Sequence, residues 1–151
     1  MKILSQQPTI STSAYTAGDA VGGLLTFDFG NVSGTFVIKD AFLLEDEATP
    51  QAAGMELHLF SDPALVGTDQ SAYTKTQAQR EAGEYFGKLE FSSYAAARFR
   101  DNAGAQESVL TGQEMFVNIP DGKLYGQLVT TGTPTYATAA DLVAGIHAVE
   151  Y

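Results

Sequence analysis

The chain has 151 residues, 44% of them apolar, which suits one domain with a packed core. It contains no cysteine, so disulfides, thiolate metal sites and cysteine nucleophiles are excluded. Eighteen acids against eight bases give a net charge of -10, which repels nucleic acid and favours solubility at high concentration.

Met1 to Thr12 reads as an N-terminal arm or an edge strand, with Ile3, Leu4 and Ile10 apolar and Pro8 interrupting the run. An unpaired edge invites a neighbouring chain, so these three apolar residues are candidate partner contacts. No long apolar run follows Lys2, so the segment does not read as a secretion signal. No stretch approaches the roughly 20 apolar residues of a membrane helix, and no membrane partner is expected. Residues 13–151 read as a single β-sandwich domain.

Alternation at period two marks the strands. Leu25, Phe27 and Phe29 oppose Thr26 and Asp28. Phe36, Ile38 and Phe42 share a face that Asp40 interrupts. Met55, Leu57 and Leu59 oppose Glu56 and His58, and Leu89 and Phe91 alternate with Lys88 and Glu90. Pro120-Asp121-Gly122 is a turn: proline presets φ, aspartate bonds its own backbone, and glycine takes positive φ. The strands are expected at roughly 2–12, 21–29, 34–44, 54–61, 84–91, 113–119, 123–131 and 141–151. Gln77 to Ala82, stopping at Gly83, reads as a short helix. Ser92 to Arg100 reads as a helical turn or a strand continuation. The fold class is therefore all-β, a jelly-roll-like sandwich of about eight strands with one or two short helical insertions. Its inner faces should draw on Phe27, Phe29, Phe36, Ile38, Leu57, Leu59, Leu89, Phe116, Leu128 and Ile146.

Chemistry-bearing patterns are sparse. The two histidines, His58 and His147, sit in separate strands, with neither an H-x-H pair nor H-E-x-x-H spacing. No G-x-S-x-G elbow occurs. Gly18-Asp19-Ala20-Val21-Gly22-Gly23 lacks the lysine of a phosphate loop and reads as a tight turn. Asp40 and Glu45-Asp46-Glu47 lack the glycine-punctuated spacing of a calcium loop and read as a solvated strand end. No catalytic residue, cofactor or metal is expected.

The segments Tyr15-Thr16-Ala17-Gly18-Asp19-Ala20-Val21-Gly22-Gly23, Leu59-Phe60-Ser61-Asp62-Pro63 and Tyr85-Phe86-Gly87 form one part of a longer pattern. Leu124-Tyr125-Gly126-Gln127-Leu128-Val129-Thr130-Thr131-Gly132-Thr133-Pro134-Thr135-Tyr136 and Asp141-Leu142 complete it. Together they resemble the small virion structural proteins of tailed bacteriophages, some of which are capsid decoration (cement) proteins with a jelly-roll fold. The resemblance carries turn and strand residues, and no catalytic ones. It implies a non-enzymatic protein that binds the major capsid protein on the capsid exterior as a dimer or trimer, assembled in the bacterial host cytoplasm. Aromatic and arginine side chains are the usual interface anchors, so Tyr94, Arg98, Phe99 and Arg100 are further candidate contacts. The alternatives are a sugar-binding or head–tail/fibre accessory module, then a cupin-like enzyme. A flat apolar patch and a mobile N-terminal arm would favour the structural role, surface tyrosines clustered around a groove the sugar module, and two histidines converging with a carboxylate inside the barrel the enzyme.

Overall fold

The computed structural model describes residues 1–46, 51, 53–91, 99–100 and 106–151. Their strands are β1 (Lys2–Gln6), β2 (Ala20–Asp28), β3 (Gly34–Glu45), β4 (Met55–Phe60), β5 (Tyr85–Phe91), β6 (Phe99–Arg100), β7 (Gln106–Leu110), β8 (Met115–Ile119), β9 (Lys123–Thr130) and β10 (Leu142–Glu150). One helix, α1 (Gln77–Ala82), interrupts them.

The strands form two antiparallel sheets. The larger runs β1-β10-β3-β7-β6, with β8 also paired to β3; the smaller runs β2-β9-β4-β5. Four nested pairs, β1 with β10, β2 with β9, β3 with β8 and β4 with β5, fall alternately in the two sheets. That wrapping is a jelly roll. The chain crosses between sheets at the Pro120-Asp121-Gly122 turn, because β8 belongs to the larger sheet and β9 to the smaller. The turn is therefore a corner and not a hairpin. Gly122 has φ +77°, and an added Cβ would run into the Gly30 carbonyl oxygen, so only glycine fits.

Facing strands bury one apolar set between the sheets. Phe27, Phe29, Phe36, Ile38, Leu57, Leu59, Leu89, Leu128 and Ile146 are all in the core, as their alternation predicts. Phe116 is the exception: it is 52% exposed, while Val117 and Ile119 point inward. The parity of that strand is the reverse of the expected one.

Two bulges set the remaining parity. In β3, Asp40 pairs with His147 and Ile38 with Ala148, leaving Lys39 as an extra residue. Phe36 and Ile38 face the core before it, and Ala41 and Leu43 after it. Asp40 and Phe42 consequently turn outward, which corrects the single face expected for Phe36, Ile38, Asp40 and Phe42. In β2, Gly22 to Leu24 bulge out between the Val21–Leu128 and Leu25–Gly126 pairs. The glycine pair that reads as a tight turn is thus a bulge inside a strand. The buried Gln127 opposite holds it, donating to the Val21 and Gly22 carbonyls (3.2 Å each) and accepting from the Gly67 amide (3.0 Å).

The first strand is shorter than expected and ends before Pro8, which has no amide hydrogen to extend the ladder. It is an edge strand of the larger sheet, paired within its own chain to β10. The strand β7 lies outside the expected set: Gln106-Glu107-Ser108-Val109-Leu110 has no apolar alternation to announce it. It and β8 behave as one strand broken opposite the β3 bulge, where the Gln113 amide donates to the Lys39 carbonyl at 2.7 Å.

Candidate functional site

The outer face of the larger sheet carries an apolar surface built by cross-strand register. One row aligns Val149, Val37 and Phe116, and the Tyr151 ring meets Phe116 edge-on with centroids 5.2 Å apart. The next row aligns Ile3, His147 and Asp40. A third aligns Ser5, Gly145, Phe42 and Val109, and a fourth Val143, Leu44 and Glu107. Phe42 lies across Gly145, where a Cβ would collide with the ring. Ile3, Val109, Phe116 and Tyr151 are 60%, 49%, 52% and 84% exposed. The middle of the face holds one polar pair, His147 Nδ1 to Asp40 Oδ2 at 3.4 Å, with Phe42 edge-on to the imidazole. An antiparallel sheet with one solvated face normally alternates apolar with polar residues. Here β3 and β10 put apolar residues on both faces, with the His147–Asp40 pair between the Phe116 row and the Phe42 row.

Of the expected partner contacts, Ile3 lies on this face. Leu4, its neighbour, points inward, half-buried and packed on the core. Ile10 is 3% exposed and belongs to the core, its amide donating to the Ala139 carbonyl at 3.1 Å, so it is unavailable to a partner. Phe99 and Arg100 form β6 and pair with Glu107 and Gln106 of β7. Tyr94 and Arg98 lie outside the described residues. Val109, Phe116, Phe42 and Tyr151 were not foreseen as surface contacts. The readable signal for them was the apolar run at Phe36-Val37-Ile38 and Ala41-Phe42-Leu43-Leu44, too continuous for a strand with one wet face.

The outer face of the smaller sheet has a different chemistry. His58 projects from β4, between core residues Leu57 and Leu59, and is covered by Tyr73 and Tyr85 with ring centroids at 5.0 and 5.7 Å. Its Nε2 lies 2.9 Å from Glu56 Oε2 and its Nδ1 2.9 Å from the Tyr85 hydroxyl. Burial lowers the imidazole pKa against the opposing pull of Glu56. The neutral ring then donates from Nε2 to the carboxylate and accepts at Nδ1 from the phenol, one tautomer satisfying both bonds. Burial would raise the Glu56 pKa, but hydrogen bonds from Lys88 (2.5 Å) and His58 prevail and lower it. Burial also pushes the Tyr73 hydroxyl up to about 12, and that group donates to the Leu65 carbonyl at 3.0 Å.

The two histidines thus occupy different sheets and both face outward, so they do not converge inside the sandwich as a cupin-like metal site requires. Among the described residues no group of three or more His, Asp or Glu side chains could hold a metal ion.

No protein-family model matches the chain, and no curated protein does. Among solved structures it is similar to the CBM36-1 domain of a multidomain xylanase from the hindgut metagenome of Trinervitermes trinervoides. The identity is 17% over 97% of this chain and 92% of that one, with a TM-score of 0.35. It is also similar to TmCBM61, solved with β-1,4-galactotriose, at 7% identity over 91% and 69% of the two chains (TM-score 0.29). A third likeness is to hydroquinone 1,2-dioxygenase from Sphingomonas sp. TTNP3 with 4-hydroxybenzoate bound, at 13% identity over 90% and 63% (TM-score 0.16). At these scores none of the three carries an argument about function.

Proposed function

We propose that the protein is a non-enzymatic virion structural protein, a decoration (cement) protein that lays the outer face of its larger sheet on the shell of a phage head. The observation that carries this reading is the set of exposed apolar residues Ile3, Val109, Phe116 and Tyr151 on one sheet face, with half-buried Phe42 beside them. The sequence resemblance to small phage virion proteins supplies the partner, the major capsid protein. The fold alone does not choose, since jelly rolls serve capsids, lectins and cupins alike.

Physical arguments support adhesion. Burying Phe116, Val109 and Ile3 would each contribute about 1.5–3 kcal/mol of apolar transfer at full burial, before the cost of ordering. That is a modest interface for one copy. Association of two or three subunits would raise avidity by about 10²–10⁴ when their spacing matches the lattice. The net charge of -10 keeps so apolar a face soluble before assembly and disfavours a place against packaged DNA.

The test is sedimentation of the purified protein with undecorated, expanded heads, alongside mass spectrometry of purified virions. Saturable co-sedimentation and presence in virions are expected. Absence from virions, or binding to duplex DNA in place of heads, would overturn the reading.

A further inference from the structure

On the outer face of the smaller sheet, the structure assigns a second site, two hollows beside α1 for an acidic saccharide, one pairing Tyr73 with Lys75 and the other Tyr85 with Arg80. It is independent of the adhesive face on the larger sheet.

Two open hollows flank α1. One of about 610 Å³ is lined by Tyr73, Thr74, Lys75, Thr76 and Gln79. The other, about 320 Å³, is lined by Gln77, Arg80, Glu81 and Tyr85. These volumes fall in the range of small-ligand sites. Each pairs a half-buried tyrosine ring with a cation: Lys75 Nζ is 5.7 Å from the Tyr73 ring centre, and the Arg80 guanidinium 5.9 Å from that of Tyr85.

Both rings are pinned. Tyr85 is tied to His58 through its hydroxyl, and Tyr73 to the Leu65 carbonyl. Their orientation is therefore set before a ligand arrives, which lowers the ordering cost of binding. Neither Lys75 nor Arg80 forms an ion pair with a carboxylate among the described residues, as neither Lys2 nor Lys123 does. Lys75 donates only to the Val66 carbonyl at 2.8 Å and keeps donors in reserve.

The combination selects the ligand class. A tyrosine ring offers an apolar, electron-rich face to the C–H face of a pyranose. An unpaired guanidinium or ammonium offers a charge-assisted bond to a sugar carboxylate. Thr74, Thr76, Gln77 and Gln79 offer neutral hydrogen bonds to hydroxyls. A long polyanion such as nucleic acid would meet the repulsion of the whole chain, while a short uronic acid oligomer meets Lys75 in one hollow and Arg80, beside Glu81, in the other.

The experiment titrates a short oligogalacturonate into the full-length protein, by calorimetry and by amide shifts in NMR. A neutral galactose oligomer of the same length and inorganic sulfate are the controls. Saturable binding is expected, with shifts centred on Tyr73, Arg80 and Tyr85. The neutral oligomer, Lys75→Gln and Arg80→Gln should each weaken it by at least about tenfold. Arg80 is exposed and Lys75 half-buried, and unchanged circular dichroism checks the fold of both variants. The proposal is overturned by no saturable binding of the oligogalacturonate, by equal binding of the neutral oligomer, by equal binding in both variants, or by sulfate matching the uronate. Loss of head binding leaves this result untouched, because the two faces are separate.

Discussion

At the scale of residues, the inward-facing positions answer to simple alternation. Leu57 is fully buried between the sheets, with Leu89 and Leu128 paired to either side in register. Leu57→Ala should cost about 2–5 kcal/mol, read from urea unfolding with an unchanged m-value. A cost well below that range would mean the core collapses around the gap. Alternation failed at Phe42 and at Phe116, for different reasons. A single bulged residue, Lys39, reverses parity along β3, and nothing in the letters of the sequence distinguishes it from a regular strand residue. An aromatic ring was taken as core on hydrophobicity alone, although the small strand-mate Val117 was the inward one.

His58 supplies a pH prediction at the same scale. Burial lowers its folded pKa below the ordinary 6.5. As pH falls through 6.5 the unfolded chain takes up the proton first, so acidification destabilises the fold, and above 6.5 this group makes no further difference. Glu56, whose pKa Lys88 and His58 lower against the effect of burial, adds a loss at more acid pH. In His58→Gln the Tm should therefore fall less steeply than in the wild type between pH 6.5 and 5. Parallel Tm profiles for the two proteins would contradict the neutral, doubly hydrogen-bonded imidazole.

At the scale of elements, most strands were readable and most of the polar scaffolding was not. α1 follows its signals: Thr76 caps it, Gln79 answers from the third position, and Gly83 ends it where a Cβ would strike Leu65. The strand β7 gave no signal because it buries little, Gln106 alone of its five residues being buried. The excursion from Ser61 to Glu84 is tied down by residues with no local motif. Gln127 reaches Gly67, and Asp69 Oδ1 accepts from the Tyr15 hydroxyl and the Gly22 amide, each at 2.6 Å. These partners are 47 to 60 positions apart, beyond any window of pattern reading. Gln127→Leu should leave the Gly67 amide and the carbonyls of the β2 bulge short of partners, costing about 1–3 kcal/mol for the first unsatisfied group. Hydrogen exchange should then quicken at Gly67 and across Thr68 to Tyr73, while β10 stays protected. Uniform exchange across the domain would show that the glutamine supports global stability only.

At the scale of the whole molecule, two sheets present two unlike outer faces, one apolar and one polar-aromatic. The jelly-roll class was legible because half-buried strands and turn clusters recur along the chain. The exposed apolar face was legible in part: Ile3 lies on it, but Ile10 is core and Leu4 points inward. Which face a residue reaches depends on pairing between strands distant in sequence, such as β1 with β10, and a single sequence does not print that pairing. A surface assembled from five strands is therefore visible only once the register is known.

The central claim is that the outer face of the larger sheet makes the contact with the head. The most direct measurement compares wild type, Phe116→Glu and Lys75→Gln in sedimentation with undecorated, expanded heads. Both substitutions are at exposed or half-buried side chains, and melting curves check that each variant folds. Phe116→Glu places a charge in the apolar row and should weaken binding by at least about tenfold, a change of 1.4 kcal/mol. Lys75→Gln, on the other sheet, should bind heads as the wild type does. Wild-type binding by folded Phe116→Glu, or loss of binding in Lys75→Gln alone, would contradict the account.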